Sequence, residues 1–127
     1  MTKRPILGLT AEITIFASNK KDAPTKTVIA RIDTGATISS IDIDLAGKLQ
    51  IGPIIREKLV KSASGKNRSP VVRAIAKIQG NNIEGEFSLT DRKAMKYPVL
   101  IGQNHLKQGT FLVDPLIQTF WSSAIFS

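Results

Sequence analysis

The sequence predicts an all-β domain with one or two short helices, and three observations support that fold class. Short runs rich in β-branched and aromatic residues follow one another, separated by turn-forming residues at close spacing, which is typical of a barrel or a sandwich. The 127 residues suffice for one hydrophobic core but not for two. No linker composition or repeat interrupts them, so residues 1–127 are predicted to form a single domain.

The N-terminal third predicts a hairpin followed by a third strand. Residues 6–16 and 27–32 are largely apolar with β-branched side chains, which favours strands. The polar residues 17–25 between them are rich in turn formers and predict a long loop. A further strand is predicted over residues 38–42.

Two short helical turns are predicted, each with a recognisable boundary. Residues 44–49 form the first, and Asp42 or Asp44 is positioned to cap it. Residues 104–107 form the second, which Gly109 would close.

The middle of the chain predicts a hairpin with a polar tip. Residues 58–62 and 71–78 have strand patterns, and the polar, glycine-containing residues 63–70 separate them. Residues 79–82 are a strong tight-turn signal. They lead into residues 83–89, where apolar and polar side chains alternate as in a half-buried strand.

The C-terminal part predicts two short strands and an apolar tail. Residues 98–102 are an apolar run that ends at a glycine, and residues 110–114 are the last clear strand. Residues 117–127 are apolar and contain the single tryptophan, Trp121, which is expected to pack on the core or to extend a subunit interface.

Composition and charge narrow the class of protein. Hydrophobic residues make up 42% and charged residues 22%, as in an ordinary globular domain. The chain has no cysteine, and we see no signal peptide or membrane-span pattern, so a soluble cytoplasmic protein is the expectation. The net charge of +8 favours polyanionic partners, namely nucleic acid, an anionic membrane or an acidic protein.

The motif Asp33-Thr34-Gly35-Ala36 carries the chemical prediction. It lies between two apolar strands, where an ionised carboxylate is costly unless it has a partner or a function. Gly35 permits a tight backbone path, and Thr34 offers a hydroxyl that can lock the loop. Three residues alone are a weak signal, but a glycine-bearing hairpin and the apolar run Leu100-Ile101-Gly102 follow in a specific order.

In this order and spacing the sequence resembles the retropepsin-like aspartic proteases. The resemblance implies a closed acid-protease barrel with a flap hairpin. A finer resemblance is to prokaryotic proteins that carry the label "ATP-dependent zinc protease" and often occur beside glutamate ligases. It rests on residues 32–36, Ser39-Ser40, 89–92, 95–102 and 111–115.

The resemblance implies a homodimer in which each subunit supplies one copy of Asp33, and the single motif in the chain agrees with it. One carboxylate would activate a water as general base, and the other, protonated, would polarise the scissile carbonyl. Thr34 would hold the two loops together, and Gly35 would let substrate approach the backbone. A flap over residues 58–78 would close on the substrate. The implied substrate-binding residues are Ala36, Ser62, Ala63, Ser64, Gly65, Lys66 and Ile101.

Two departures from the family pattern and two absent signatures qualify the resemblance. Many retropepsins have an acid and an arginine where this chain has Thr37 and Gln103, so both partners of a buried ion pair are missing together. No zinc motif and no phosphate-binding glycine loop is present, and His105, the single histidine, is expected at the surface or at a helix end. We therefore predict no metal and no cofactor.

The predicted function is peptide hydrolysis, with acidic or glutamate-rich substrates suspected. Residues 56–73 carry six basic residues against the single Glu57, a net charge of +5 on the predicted flap, which favours acidic substrates. A solvated basic surface would have the same charge. A non-proteolytic dimerisation or binding module with the same fold is the alternative. A nucleic-acid-binding barrel is less favoured, because the basic stretch contains no aromatic side chain on which a base could stack.

Overall fold

The computed structural model describes residues 4–62 and 65–120, and it confirms the mostly-β fold with two short helices. The strands and helices, in chain order, are β1 (Ile6–Leu7), β2 (Thr10–Ala17), β3 (Thr25–Ile32), β4 (Ser39–Asp42), α1 (Ile43–Lys48), β5 (Arg56–Ser62), β6 (Gly65–Ile78), β7 (Asn81–Thr90), β8 (Val99–Ile101), α2 (Gln103–Gln108), β9 (Leu112–Val113) and β10 (Thr119–Phe120).

Six strands close into a barrel. The sheet order runs β2-β3-β8-β4-β7-β6, and β6 pairs back with β2, so the first and last strands of the series meet. Closure leaves no free edge within the series, and the apolar side chains of every second residue fill the interior. On β2, for example, Ala11, Ile13, Ile15 and Ala17 point inward and are buried.

The hairpin β5–β6 is longer and more regular than the sequence predicts. Backbone pairing runs without interruption from Arg56 opposite Val71 to Ser62 opposite Gly65. The prediction of a polar tip over residues 63–70 is therefore wrong for residues 65–70, which belong to β6, while residues 63 and 64 lie outside the described residues. Gly65 has a φ of 124°, a conformation that side-chain-bearing residues rarely adopt, which explains the glycine where β6 begins.

Both predicted helical turns are confirmed. Asp42, rather than Asp44, caps α1, because its Oδ2 accepts the N–H of Leu45 at 3.3 Å. Its other carboxylate oxygen accepts the backbone N–H of Arg92 at 2.8 Å, and these bonds, that of Arg92 first, lower the pKa of Asp42. Gly109 ends α2 as expected, with its N–H donating to His105 O.

The predicted strand over residues 6–16 is two strands, because another part of the chain crosses at Gly8. The carbonyl of Ile117 lies so close to Gly8 that a Cβ atom there would collide with it, and the same carbonyl accepts the N–H of Leu9 at 2.9 Å. β9 pairs in parallel with β1, and β10 pairs in parallel with β2. Trp121 and the rest of the tail lie outside the described residues.

Among the described helices, none is long and apolar enough to cross a membrane.

Candidate active site

Asp33 lies immediately after β3, where the barrel strand gives way to a loop. Its backbone N–H donates to Ile101 O at 2.9 Å and so extends the pairing of β3 with β8 by one residue. Its Oδ1 accepts the N–H of Gly35 at 2.9 Å, which fixes the orientation of the carboxylate. The carboxylate is half-buried, whereas Thr34 and Gly35 are exposed. The tip of this loop is therefore accessible from solvent.

The start of α2 holds the loop that follows Asp33. Ala36 O accepts the N–H of Gln103 at 2.8 Å, and the side chain of Gln103 donates to Thr34 O at 2.8 Å. The N–H of Asn104 donates to Thr37 O at 3.3 Å. Gln103 thus anchors the loop through a neutral hydrogen bond. The sequence marked this position as a departure from the family pattern, but only the structure shows what Gln103 contacts.

Gly102 allows the loop and α2 to approach closely. A Cβ atom at this position would lie 2.7 Å from the carbonyl carbon of Ile38 and 2.9 Å from Ala36 O. Both are backbone atoms, which have less freedom to move aside than the end of a flexible side chain. Because Gly102 has no side chain, α2 can pack directly against the loop that follows Asp33.

A buried polar network lies behind the loop. Ser39 Oγ accepts the N–H of Gly102 at 2.9 Å and lies 2.7 Å from His105 Nδ1 and 3.1 Å from Asn104 Oδ1. All three contacts are satisfied if Nδ1 carries the imidazole hydrogen and donates it to Ser39, whose own hydroxyl then donates to Asn104. The Asn104 amide also donates to Glu86 O at 2.9 Å, so the network ties β4, β7 and α2 together.

The sequence predicts His105 at the surface or at a helix end; it lies in the last turn of α2, but it is not at the surface. Its side chain is fully buried, with its ring centroid 4.6 Å from that of Phe87. Its Nε2 has no hydrogen-bond partner among the described residues, and a Cβ atom on Gly85 would approach it to 2.8 Å. Burial, and next the positive charge of Arg73, lower the pKa of His105 to about 4.

The buried imidazole predicts a loss of stability at mildly acidic pH. An unfolded chain takes up a proton on His105 near pH 6.5, whereas the folded chain resists protonation until about pH 4. The contribution of the neutral His105 imidazole to the free energy of unfolding is therefore complete above about pH 6.5, and it is lost as the pH falls toward about 4. We expect the free energy of unfolding to decrease by about 2 kcal/mol between about pH 7 and about pH 5. Denaturant unfolding at the two pH values measures the decrease.

Two measurements isolate this effect. His105 is the only histidine, so an imidazole NMR titration reports its pKa directly. The variant His105→Gln should lose the pH dependence in this window. Asp42 and Glu86, whose pKa values are also lowered in the fold, contribute only near and below their unfolded values of 3.8 and 4.5. An NMR pKa near 6.5 in the folded protein would contradict the prediction.

A cleft of about 470 Å³ opens beside Asp33. Arg31 and Leu100 line it because they are register partners on β3 and β8 and lie on the same side as Asp33, two residues after Arg31. The next pair, Ile32 and Ile101, points into the core instead. Ile101 is fully buried, so Leu100, rather than the predicted Ile101, lines this cleft.

The remaining wall of the cleft comes from the segment between β7 and β8. It consists of Arg92, Met95, Lys96 and Tyr97. None of the described residues of the hairpin β5–β6, the predicted flap, lines this cleft. Gly65 and Lys66 are exposed, the side chain of Ser62 is not described, and Ala63 and Ser64 lie outside the described residues. The roles predicted for these flap residues and for Ala36 in substrate binding stay predictions.

In the part of the chain that the structure describes, no group of three or more His, Cys, Asp or Glu side chains is placed to hold a metal ion.

Comparison with known proteins gives one family match. Residues 44–120 match the RimB-like family, described as "Retropepsin-like aspartic endopeptidase RimB". The matched segment includes the hairpin β5–β6, the segment that forms one wall of the cleft, and α2, but it begins after Asp33. No curated protein matches the chain significantly. The narrower resemblance to proteins labelled "ATP-dependent zinc protease" stays a prediction.

Solved structures show the same fold. A protein of unknown function from Legionella pneumophila superposes with a TM-score of 0.64 at 21% identity, over 95% of this chain and 100% of that one. The Simian Foamy Virus (mac) protease superposes with a TM-score of 0.52 at 20% identity, over 76% of this chain and 91% of that one. The EIAV protease, solved with an inhibitor, superposes with a TM-score of 0.56 at 16% identity, over 77% of this chain and 98% of that one. These superpositions establish the fold that the chain shares with the three structures.

Proposed function

Because this chain belongs to the RimB-like family of retropepsin-like aspartic endopeptidases, we propose that it hydrolyses peptide bonds through Asp33. The observation that carries the proposal is the position of this carboxylate. It is half-buried at the wall of a cleft, and it is oriented by Gly35 and by a loop that α2 holds through three hydrogen bonds. A binding module would gain nothing from a carboxylate held in this way.

The chemistry requires a second carboxylate, and we propose that a second subunit supplies it. Among the described residues that line the cleft, Asp33 is the single acid. A symmetric dimer formed through the exposed Thr34 and Gly35 would bring two copies of Asp33 together on the twofold axis. Two carboxylates at such short range share one proton, as is general for aspartic proteases. The titration then belongs to the pair.

In this mechanism the ionised member of the pair removes a proton from a water, and the water attacks the scissile carbonyl carbon. The protonated member donates a hydrogen bond to the carbonyl oxygen, on which negative charge develops. The pair then passes the proton taken from water to the leaving nitrogen, and the C–N bond breaks to give a carboxyl group and a free amine. The flap hairpin would exclude solvent during these steps, a role that β5 and β6 suit because they extend as one continuous ladder.

Acidic substrates are the class that we propose, although the flap supports them less than its sequence implies. Three of its six cations form ion pairs, Arg56 with Glu86 at 2.6 Å, Arg73 with Glu84 at 3.7 Å and Arg68 with Glu57 at 4.0 Å. These exposed pairs reduce the positive field over the cleft. Positive charge closer to Asp33 comes from Arg31, Arg92 and Lys96, which line the cleft.

The direct test is hydrolysis of peptides by the purified protein over a range of pH. We expect cleavage of glutamate-rich peptides, detected by mass spectrometry, with a rate that depends on pH through the shared proton of the pair. Absence of cleavage by a dimeric, folded protein would favour the dimerisation or binding module instead.

A subunit-mixing experiment tests whether the site is shared between chains. Wild type mixed with Asp33→Asn forms dimers that hold a single carboxylate. If such dimers are inactive, an equal mixture should retain about a quarter of the activity of undiluted wild type, whereas independent subunits would retain about half. The matched control is an equal mixture of wild type with Asp22→Asn, which changes an exposed turn residue. This mixture should retain the full activity of undiluted wild type. Activity that follows the independent-subunit line would refute the shared site.

A further inference from the structure

The peptide unit between Ile101 and Gly102 is held from both of its sides. Its carbonyl oxygen accepts the backbone N–H of Asp33 at 2.9 Å, and its N–H donates to Ser39 Oγ at 2.9 Å. Because a peptide unit is planar and rigid, a rotation of its N–H also rotates its carbonyl. The hydroxyl of Ser39 therefore fixes the orientation of the group that holds the backbone of Asp33.

The local backbone does little to fix this orientation by itself. The close approach of Ile38 and Ala36 requires glycine at position 102, and glycine restricts its own backbone dihedral angles least of all residues. Gly102 is also the N-cap residue of α2, and it makes no side-chain cap hydrogen bond. A contact from outside α2 must supply the missing restriction, and Ser39 on β4 makes that contact.

The hydroxyl of Ser39 has a single arrangement available to it. A hydroxyl donates one hydrogen bond and accepts two. Here it accepts from Gly102 and, at 2.7 Å, from His105 Nδ1, and it donates to Asn104 Oδ1 at 3.1 Å. Asn104 Oδ1 also accepts the backbone N–H of Ser39 at 3.0 Å. The Ser39 side chain is fully buried, so water cannot readily replace a bond that is broken there.

We propose that Ser39 is a positioning residue for Asp33 and acts through the peptide unit between Ile101 and Gly102. His105 and Asn104 hold the Ser39 hydroxyl in the direction that this role requires. The inference deepens the proposed function and rests on it for the reaction at Asp33. A nucleophilic role for Ser39 does not fit, because its oxygen is fully buried and all of its hydrogen-bonding capacity is used.

Kinetics of Ser39 variants test the proposal. Ser39→Ala should lower kcat for glutamate-rich peptides roughly 10- to 100-fold and change KM by less than about twofold, because Asp33 is displaced while the cleft wall is not. All rates are normalised to the folded fraction. Ser39→Thr keeps the hydroxyl and should stay within about fivefold of the wild-type kcat, whereas the isosteric Ser39→Val should lose as much as Ser39→Ala. Equal kcat for the Thr and Val variants would overturn the proposal, and this pair serves even if Ser39→Ala does not fold.

The amide of Gly35 reports the carboxylate without any hydrolysis, because it donates to Asp33 Oδ1. In two-dimensional NMR spectra, Ser39→Ala should shift the Gly35 amide resonance. Ser88→Ala is the matched control, since it removes a largely buried hydroxyl of β7 that lies outside the network, and it should leave that resonance in place. An unshifted Gly35 resonance with an unchanged kcat in Ser39→Ala would overturn the positioning role and leave the protease standing. A shifted resonance without hydrolysis by the wild type would overturn the protease and retain the coupling of Ser39 to Asp33.

Discussion

Replacing Asp33 by asparagine is expected to reduce peptide hydrolysis roughly 10³-fold or more. The amide can neither remove a proton from water nor share one with the partner carboxylate, so both functions of the pair disappear together. The variant should nevertheless fold, because the asparagine oxygen can still accept the Gly35 N–H that Asp33 Oδ1 accepts at 2.9 Å. Initial rates of peptide cleavage, measured beside thermal unfolding, separate the chemical effect from a structural one.

Asp22→Asn is the matched control for this prediction. It makes the same chemical change at an exposed turn where φ is 57°, a conformation that asparagine tolerates. Its activity and unfolding temperature should equal those of the wild type. Substantial hydrolysis by Asp33→Asn would exclude the mechanism proposed for this site.

Gly102→Ala is expected to cost about 3 kcal/mol or more of unfolding free energy and to reduce activity with it. The added methyl group would lie 2.7 Å from the Ile38 carbonyl carbon and 2.9 Å from Ala36 O. To relieve this overlap, the loop that follows Asp33 must separate from α2, which breaks the hydrogen bonds of Gln103 to Ala36 and Thr34. Denaturant unfolding measures the cost, and peptide cleavage measures the displacement of the loop.

Gly47→Ala tests the same substitution where there is space. Gly47 is exposed within α1, and a Cβ atom there has no heavy-atom neighbour within 4 Å. Alanine in a helix should stabilise the protein by about 0.5–1 kcal/mol relative to glycine, without any effect on hydrolysis. If Gly102→Ala were as well tolerated as Gly47→Ala, close packing between the loop and α2 could not be what positions Asp33.

The positions of most strands and of both helices, and the candidate carboxylate, could be predicted from the sequence because local patterns encode them. Alternating apolar residues identify β7, Asp42 and Gly109 mark helix boundaries, and Asp33-Thr34-Gly35 stands directly after an apolar strand. The length of the hairpin β5–β6 could not be predicted from the sequence. Residues 65–70 have the composition of a polar loop, and they form a strand because β5 pairs with their backbone.

The amino-acid sequence by itself therefore determined the all-β class, the two short helices and the residue on which catalysis is proposed to depend. Tertiary structure alone decided that His105 is buried, that Gln103 holds the loop, and that Leu100 rather than Ile101 faces the cleft. It also brought Arg92 to the wall of the cleft that Arg31 shares, although 61 positions separate them in the chain. The physical reason is register: whether a strand residue points inward or outward, and which distant charge it meets, depends on the pairing of strands that are far apart in sequence.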